Sequence, residues 1–406
     1  MKSNKITFIN HDGIKLAARM ELPADRKADN FAIFAHCFTC TKNLSAVRNI
    51  SRGMTNAGFG VLRFDFTGLG ESEGDFADTN FSSNIQDLKA AARYLDENYK
   101  APALLVGHSL GGAAVIYAAA ELGSVEAVAT IGAPADPVHV KKLITSNEAE
   151  IREKGYAEVS IGGRPFTIKK QFLDDLEDTE MSSVLDKLRK ALLIAHSPQD
   201  KIVGVDNAAK IFKGAMHPKS FISLDGADHL LSDAADSTYA GNVIASWARR
   251  YVSFPEEKAP ESNFQVVASL SGEEKFTTKV KAGKHQFVVD EPEKAGGNDY
   301  GPTPYDLLAS SLATCTAITI RMYAGHKKWD VDEINVHVEH EKVHADDSEG
   351  SDSDKLPRID RFTRIVEITG EVDDSQKERM LNIANKCPVH RTLLSEIRIE
   401  TELGKE

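Results

Sequence analysis

The feature that most constrains this chain is a serine flanked by glycines between a strand and a helix. The segment Gly107-His108-Ser109-Leu110-Gly111 directly follows an apolar run at residues 103–106 and directly precedes a helical pattern at residues 112–120. A serine raised on such a sharp turn needs neighbours without bulky side chains, and glycines two positions away on each side provide them. The N–H of Leu110, at the start of the helix, can stabilise negative charge on an oxygen. The segment therefore predicts a nucleophilic Ser109 on an exposed turn.

Residues 1–255 alternate short apolar runs with helical patterns. The runs that are strand candidates lie at residues 32–35, 60–64, 104–106, 127–131, 191–195 and 220–224. This alternation predicts an α/β fold, a mostly parallel sheet with helices on both faces. Between residues 134 and 190 it lapses into a charged helical stretch near 138–153 and a hairpin that turns on Gly162 and Gly163. We expect this insertion to form a small cap over the carboxyl ends of the strands, where ligands bind.

A nucleophilic serine needs a histidine base, and the histidine needs a carboxylate that orients it. Asp200 follows the strand candidate at residues 191–195, and His229 follows the candidate at residues 220–224. Both side chains therefore reach the sheet edge that carries Ser109. We predict that Ser109, Asp200 and His229 form a catalytic triad.

Other carboxylates and histidines suit the triad less well. Asp228 is adjacent to the histidine, Asp206 lies in a following helix, and Asp225 suits a turn. His108 lies beside the serine, but its side chain points away from it, so we expect it to pack or to bond locally. His196 ends a strand candidate, where we expect it to satisfy backbone groups.

The loop after the first strand candidate contains Cys37-Phe38-Thr39-Cys40. An oxyanion needs a second backbone donor, which usually comes from a loop in this position, and we assign the N–H of Phe38. The two cysteines lack the strand–helix context of thioredoxin and a second cysteine pair for zinc. We expect them to line the oxyanion loop, with redox gating of the site as the alternative. Asp65, after the next strand candidate, is expected to brace a glycine-rich loop.

Length, charge and cysteine content limit the function classes. At 406 residues the chain is too long for one ordinary core, which favours two domains. A net charge of −12 without a basic stripe argues against nucleic-acid binding. We find no secretory signal and no apolar run that approaches about 18 residues. We therefore expect a cytoplasmic protein that contacts neither nucleic acid nor membrane and that uses no metal and no cofactor.

The pattern changes after residue 255. Residues 256–262 are polar and contain prolines, which is typical of a linker. The domain at residues 263–406 begins with antiparallel strand candidates at 264–270, 276–280 and 285–289. A long apolar helix from Pro304 to about residue 324, two further strands and a helical region follow, which predicts an α+β domain. We expect the acidic run at residues 346–354 to form a solvated hairpin tip.

The ordered serine turn, acid and histidine of residues 6–253 resemble the α/β-hydrolase superfamily, specifically its small carboxylesterases and acyl hydrolases. The resemblance implies hydrolysis of a small-molecule carboxylic ester through an acyl-enzyme. A dehalogenase would carry aspartate at position 109, so the serine argues against that branch.

Residues 262–403 contain two cysteines in a second set of motifs. Cys315 lies inside the long helix, and the proline after Cys387 predicts a helix start, where a thiolate is favoured. The motifs are Asp290-Glu291-Pro292, Gly296-Gly297-Asn298, Gly301-Pro302-Thr303-Pro304, the Cys315 helix and Cys387-Pro388-Val389-His390-Arg391-Thr392-Leu393. They resemble the OsmC/Ohr family. The resemblance implies an intertwined homodimer formed through this domain, with Cys315 as the peroxidatic thiol, Cys387 as the resolving thiol and a dithiol as the reductant.

Two departures from the OsmC/Ohr pattern leave alternatives open. Tyr305 stands where peroxidase members carry a glutamate, and residues 271–275 lack the arginine that normally activates the thiol. Arg321 and Arg391 are candidate substitutes. The alternatives are a thiol peroxidase with an accessory or degenerate hydrolase domain, and an OsmC-like domain that serves only in dimerisation.

Overall fold

The structure is a computed structural model of the chain and describes residues 1–161, 163–255, 260–272, 274–344 and 358–404. The chain divides into two compact units, Met1–Lys258 and Ala259–Glu406. Residues 256–259 of the expected linker, Gly162 of the expected hairpin turn and the acidic run at 346–354 lie outside the described residues.

The first unit alternates strands and helices along most of its length. Its strands are β1 (Lys2–Ile9), β2 (Lys15–Leu22), β3 (Asn30–Ala35), β4 (Phe59–Phe64), β5 (Pro102–His108), β6 (Ala127–Ile131), β7 (Tyr156–Ile161), β8 (Arg164–Lys169), β9 (Ala191–His196) and β10 (Lys219–Ser223). Its helices are α1 (Ser45–Asn56), α2 (Phe81–Asn98), α3 (Leu110–Glu121), α4 (Glu148–Lys154), α5 (Lys170–Glu177), α6 (Met181–Lys187), α7 (Asp206–Gly214) and α8 (Ala234–Ala248).

An eight-stranded sheet forms the centre of this unit, in the order β1-β2-β4-β3-β5-β6-β9-β10. The pairs β1–β2 and β2–β4 are antiparallel, and every later pair is parallel. Successive side chains of a strand point to opposite faces, so both faces need a cover. Helices α2 and α3 contribute to the core on one face, and α1 and α8 contribute to the core on the other. The predicted α/β fold is confirmed.

The expected cap lies between β6 and β9. Strands β7 and β8 pair antiparallel over the full predicted hairpin. The charged stretch near 138–153 is not one helix: 3-10 turns at Pro137–Leu143 and Thr145–Asn147 precede α4. Ile144, between the two turns, has φ −125° and ψ 9°, which interrupts helical geometry.

The second unit is an α+β domain, as predicted. Its strands are β11 (Val266–Ser269), β12 (Thr278–Ala282), β13 (His285–Val289), β14 (Asp330–His344) and β15 (Arg358–Glu371), and its helices are α9 (Pro304–Lys327), α10 (Asp374–Ala384) and α11 (Pro388–Leu393). Strands β11, β12 and β13 form one sheet, and β14 pairs with β15. The buried cluster under the second sheet consists of Ile320, Ala324, Val331, Met380 and Ala384.

Helix α9 begins at a capping box, in which Thr303 and Asp306 satisfy each other's backbone N–H groups, and it ends at Lys328 in the left-handed region. By length and composition alone α9 passes the test for a membrane span, as core helices of soluble proteins also do, and 22% of its apolar window is buried. Ile318 and Met322 on α9 and Ile365 on β15 are exposed in the single chain.

Buried charges connect the loop after β3 to the neighbouring strands. The Lys42 side chain is 1% exposed, bonds the fully buried Asp65, and donates to Glu71 at 2.8 Å. The guanidinium of Arg63 pairs with buried Glu21 at 2.6 Å and donates to the Lys42 carbonyl. Asp65 also accepts from the backbone N–H of Lys42, at 2.6 Å. The predicted bracing role of Asp65 therefore extends to the loop that contains Phe38.

We predict that Lys42→Met lowers the free energy of unfolding by about 3 kcal/mol, because it leaves a buried carboxylate without its cation. Urea denaturation of the variant and the wild type measures the difference. Lys5→Met is the matched control, since the Lys5 amine lies 3.9 Å from Glu71 and its side chain is 69% exposed. A loss for Lys42→Met no larger than that for Lys5→Met would contradict the prediction.

Candidate active site

Ser109 occupies the strained turn between β5 and α3. Its φ is 54° and its ψ is −125°, a backbone conformation that residues other than glycine rarely adopt. Its N–H donates to the carbonyl of Ile131 at 2.8 Å, which ties the turn to β6. A Cβ at Gly107 would lie 2.3 Å from the Gly111 carbonyl oxygen, and a Cβ at Gly111 would lie 2.3 Å from that of His36. The flanking glycines are therefore required by close backbone approach.

The structure brings the three predicted triad residues together. His229 Nε2 lies 3.1 Å from Ser109 Oγ, and His229 Nδ1 lies 2.7 Å from Asp200 Oδ2. Since a carboxylate only accepts hydrogen bonds, Nδ1–H donates to Asp200 and Nε2 is left to accept the serine proton. The arrangement can deprotonate Ser109 and hold the positive charge that results on the imidazole.

The carboxylate of Asp200 is nearly enclosed and is held ionised. Burial opposes its charge, but the hydrogen bond from His229 and the backbone N–H groups of Val203 and Ile202 keep its pKa below the usual value. The two backbone donors lie 2.9 and 2.8 Å from Oδ1, so each carboxylate oxygen has its own partners. His196, as expected, bonds a backbone group, the Val203 carbonyl, at 2.7 Å.

His108 and Gly132 support the triad in ways that the sequence does not predict. His108 Nε2 lies 2.6 Å from the carbonyl of His229, so its partner is on the histidine loop and not local as expected. Burial, then the nearby His229, lowers the pKa of His108 to about 3, which keeps its ring neutral as a donor. Gly132 has φ 54°, and a Cβ there would lie 3.2 Å from Asp200 and 3.4 Å from His229. No local pattern marks either role, because each depends on a residue distant in the chain.

A small pocket lies beside the serine. It holds about 40 Å³ and is lined by Phe38, Ser109, Leu110, Pro134, His139, Val140, Ile202 and Val203. Leu110 is the first helical residue of α3, so its N–H has no acceptor within the helix. Among the residues that the structure describes, the backbone N–H of Phe38 has no hydrogen-bond acceptor. Both predicted oxyanion donors thus border the pocket that Ser109 opens into.

The two cysteines of the oxyanion loop form a disulfide. Cys37 and Cys40 are bonded, with 5.2 Å between their Cα atoms. The sequence predicts both residues in the lining of the loop but does not predict the bond between them.

The second unit brings Cys315 and Cys387 to each other. Cys387 is buried at the N-cap of α11 and accepts the His390 N–H at 3.3 Å, with Thr316 Oγ1 at 3.6 Å. Burial raises its pKa, but hydrogen bonds from His390, Thr316 and Cys315 outweigh burial and leave the pKa of Cys387 below the usual value. The two free thiols are therefore neighbours that a disulfide could join.

Arg364, on β15, lies near this thiol pair, and its positive charge helps to lower the pKa of Cys387. Its guanidinium donates to Thr316 Oγ1 at 2.8 Å and to Asn385 at 2.7 Å. Arg321, a candidate substitute in the sequence analysis, instead donates to the carbonyls of Val331 and Asp332, and its guanidinium is therefore occupied at the end of α9.

Arg391 and Tyr305 both lie away from the role of activating the thiol. Arg391, the other candidate substitute, is exposed in the last turn of α11. Tyr305 stacks on His340, with ring centroids 4.3 Å apart, so the position of the family glutamate is used for packing.

Comparison with known proteins assigns each half separately. A family model described as serine aminopeptidase, S33 matches residues 40–141, and one described as OsmC-like protein matches residues 296–402. The esterase domain of a Rhodothermus marinus protein is 51% identical, with 62% of this chain and 99% of that chain covered and a TM-score of 0.52.

A more distant solved structure shares the fold of the first unit, and a further protein is similar to it in sequence. Est1E of Butyrivibrio proteoclasticus, solved with ferulic acid bound, is 21% identical, with 60% of this chain and 99% of that chain covered and a TM-score of 0.50. The uncharacterized protein YfhR of Salmonella typhimurium is 25% identical over 244 residues, which are 59% of this chain and 78% of that protein. The high identity to an entire solved esterase domain, together with the separate OsmC match, decides the family: the chain is an α/β hydrolase whose hydrolase domain is followed by an OsmC-like domain.

Proposed function

We propose that the first unit is a serine carboxylesterase that cleaves its substrate through an acyl-enzyme. The observation that carries this proposal is the continuous line of hydrogen bonds from Ser109 through His229 to Asp200, at 3.1 and 2.7 Å. The 51% identical esterase domain from Rhodothermus marinus supports the choice of substrate class.

In the first step Ser109 Oγ attacks the ester carbonyl while His229 Nε2 takes the hydroxyl proton. Asp200 holds the ring and stabilises the imidazolium. The carbonyl oxygen becomes an oxyanion, which accepts the N–H groups of Phe38 and Leu110. The carbon–oxygen bond to the alcohol then breaks, and His229 returns the proton to the leaving alcohol. In the second step a water attacks the acyl carbon while His229 Nε2 takes its proton. The bond from that carbon to Ser109 Oγ then breaks, His229 returns the proton to Oγ, and the acid leaves.

The lining of the pocket favours esters over the peptides that an aminopeptidase cleaves. An aminopeptidase must bind a substrate ammonium group, for which a carboxylate is the usual partner. Among the residues whose side chains the structure describes, those that line the pocket beside Ser109 include no acidic side chain. Its volume of about 40 Å³ corresponds to roughly three waters, which favours an acyl group of about two to four carbons.

We predict that Ser109→Ala lowers kcat/KM for p-nitrophenyl butyrate by about 10⁴-fold or more, because the nucleophile is lost. Stopped or continuous release of p-nitrophenol measures the rate. Ser82→Ala is the matched control, since Ser82 is exposed at the start of α2. Unchanged turnover in the Ser109 variant would contradict the assignment of Ser109 as the nucleophile.

We also predict that acetate, propionate and butyrate esters of p-nitrophenol exceed the octanoate ester in kcat/KM by about tenfold or more, because longer chains do not fit the pocket. Val140→Ala, which widens the lining, should narrow this difference. A wild-type preference for the octanoate ester would contradict a small acyl site.

We propose as a second function that the OsmC-like domain reduces organic hydroperoxides. The observations that favour it are the buried position of Cys387 at the N-cap of α11, with the His390 N–H and Thr316 Oγ1 beside its sulfur, and the lowering of its pKa by the neighbouring Cys315 thiol. The Cys315 thiolate would attack the outer peroxide oxygen, which breaks the O–O bond and yields an alcohol and a sulfenic acid. Cys387 then attacks that sulfur, water leaves, and a dithiol reduces the resulting disulfide with two electrons and two protons.

We predict that Cys315→Ser abolishes consumption of cumene hydroperoxide in the presence of dithiothreitol, while Cys387→Ser retains one oxidation of Cys315 per chain. Peroxide consumption and the mass of the sulfenic acid trapped with dimedone measure the two effects. Ester hydrolysis provides the internal control, because the thiol pair takes no part in it. Peroxide consumption that is equal in Cys315→Ser and wild type would favour a dimerisation module.

A further inference from the structure

The Cys37–Cys40 disulfide closes a ring around the proposed oxyanion donor. The bond links the residues on either side of Phe38 and Thr39. Inside this ring Thr39 is buried and has φ 62°, and the N–H of Cys40 donates to the Cys37 carbonyl at 3.1 Å. A left-handed threonine is a strained conformation that persists only where its surroundings enforce it. The ring therefore sets the orientation of the peptide groups on both sides of Phe38.

Contacts outside the ring also hold the loop, through the Phe38 side chain and through two backbone carbonyls. The Phe38 ring stacks on Phe172 of the cap, with centroids 5.4 Å apart, and meets Phe76 at 5.6 Å. On the backbone, Arg164 of the cap donates to the Thr39 carbonyl, and His36 Nδ1 lies 2.8 Å from that of Cys37. These contacts keep the loop docked on the cap and the sheet, so we expect substrate binding to outlast the disulfide.

We propose that the Cys37–Cys40 disulfide is a positioning element for ester hydrolysis, which aims the Phe38 N–H at the oxyanion and makes turnover depend on the redox state of the loop. The inference rests on the proposed esterase function. Without the bond, the backbone of residues 37–40 regains conformational freedom. Thr39 can then leave the left-handed region, and the Phe38 N–H no longer points at the oxyanion.

The bond is open to chemical reduction. Cys40 is partly exposed, whereas Cys37 is buried at 4% exposure. A dithiol thiolate therefore attacks the Cys40 sulfur, and the S–S bond breaks with release of the Cys37 thiolate. The second thiol of the reductant then displaces Cys40 and forms a cyclic disulfide. The dithiol loses two electrons and two protons, and the protein ends with two thiols at positions 37 and 40.

The test uses the full-length chain carrying Cys315→Ser and Cys387→Ser, so that residues 37 and 40 are the remaining cysteines of the four. We measure kcat and KM for p-nitrophenyl butyrate in three states: oxidised, reduced with dithiothreitol and desalted, and reoxidised with diamide. Free thiols are counted in each state. We expect kcat to fall by about tenfold on reduction, which is less than the loss of about 10²–10³ that deleting an oxyanion donor causes, and KM to change less than about twofold. Reoxidation should restore kcat.

A variant with Cys37→Ser and Cys40→Ser should have the lowered kcat permanently and should not respond to reductant. If this variant does not fold, the reduction and reoxidation cycle of the disulfide-bonded protein still tests whether kcat depends on the disulfide. Full kcat in protein that shows two free thiols would overturn the inference while leaving the esterase assignment intact. Ester turnover that survives Ser109→Ala would instead overturn the proposed function on which the inference rests.

Discussion

The parallel pairing of β5, β6, β9 and β10 is the interaction on which the site depends. The ladder continues beyond the ends of these strands: Ser109 N–H bonds Ile131, Gly132 N–H bonds Ala195, and Leu224 N–H bonds His196. Each bond fixes the first residues of a loop relative to the neighbouring strand. The serine, the acid and the histidine are therefore positioned by backbone hydrogen bonds of one sheet edge. Because both faces of the sheet are covered, this edge cannot shift without disturbing two cores.

Around this edge the protein uses buried polar groups to hold loops that have no regular structure. The neutral His108 binds the carbonyl of the catalytic-site histidine, and Lys42 with Asp65 binds the loop after β3. A buried group of this kind is costly when it loses its partner, so each pairing selects one loop conformation. The disulfide in the oxyanion loop adds a covalent constraint to the same loop. Regular structure thus positions Ser109, and paired buried side chains hold the loops around it.

The OsmC-like domain reaches a paired-thiol arrangement by a route that differs from its family. Tyr305 stands where the OsmC/Ohr resemblance implies a glutamate, and its ring stacks on His340. Arg364 on β15 instead donates to Thr316, which lies beside Cys387. In the first turn of α11, the His390 N–H donates to the Cys387 sulfur. A positive group and a helix terminus both favour a thiolate. These two features would support the proposed thiol chemistry in place of the glutamate and the arginine that the family resemblance implies.

Local sequence was sufficient for the fold class and for the order of the site residues. The apolar runs predicted the central strands to within a few residues, since a fully buried strand leaves a continuous apolar signature, and the glycines around Ser109 revealed the turn. The charged stretch near 138–153 was predicted as a helix and is broken at Ile144, because charge without apolar periodicity says little about where a helix is interrupted. Nothing local marked His108 or Gly132 as supports of His229, Arg364 as the arginine near the thiols, or Cys37 as bonded to Cys40. Those roles depend on distances between side chains or on a loop's backbone path. Sequence alone thus determined which groups stand at each strand end, whereas only tertiary packing decided which of them meet, because contact is a property of folded distance and not of spacing along the chain.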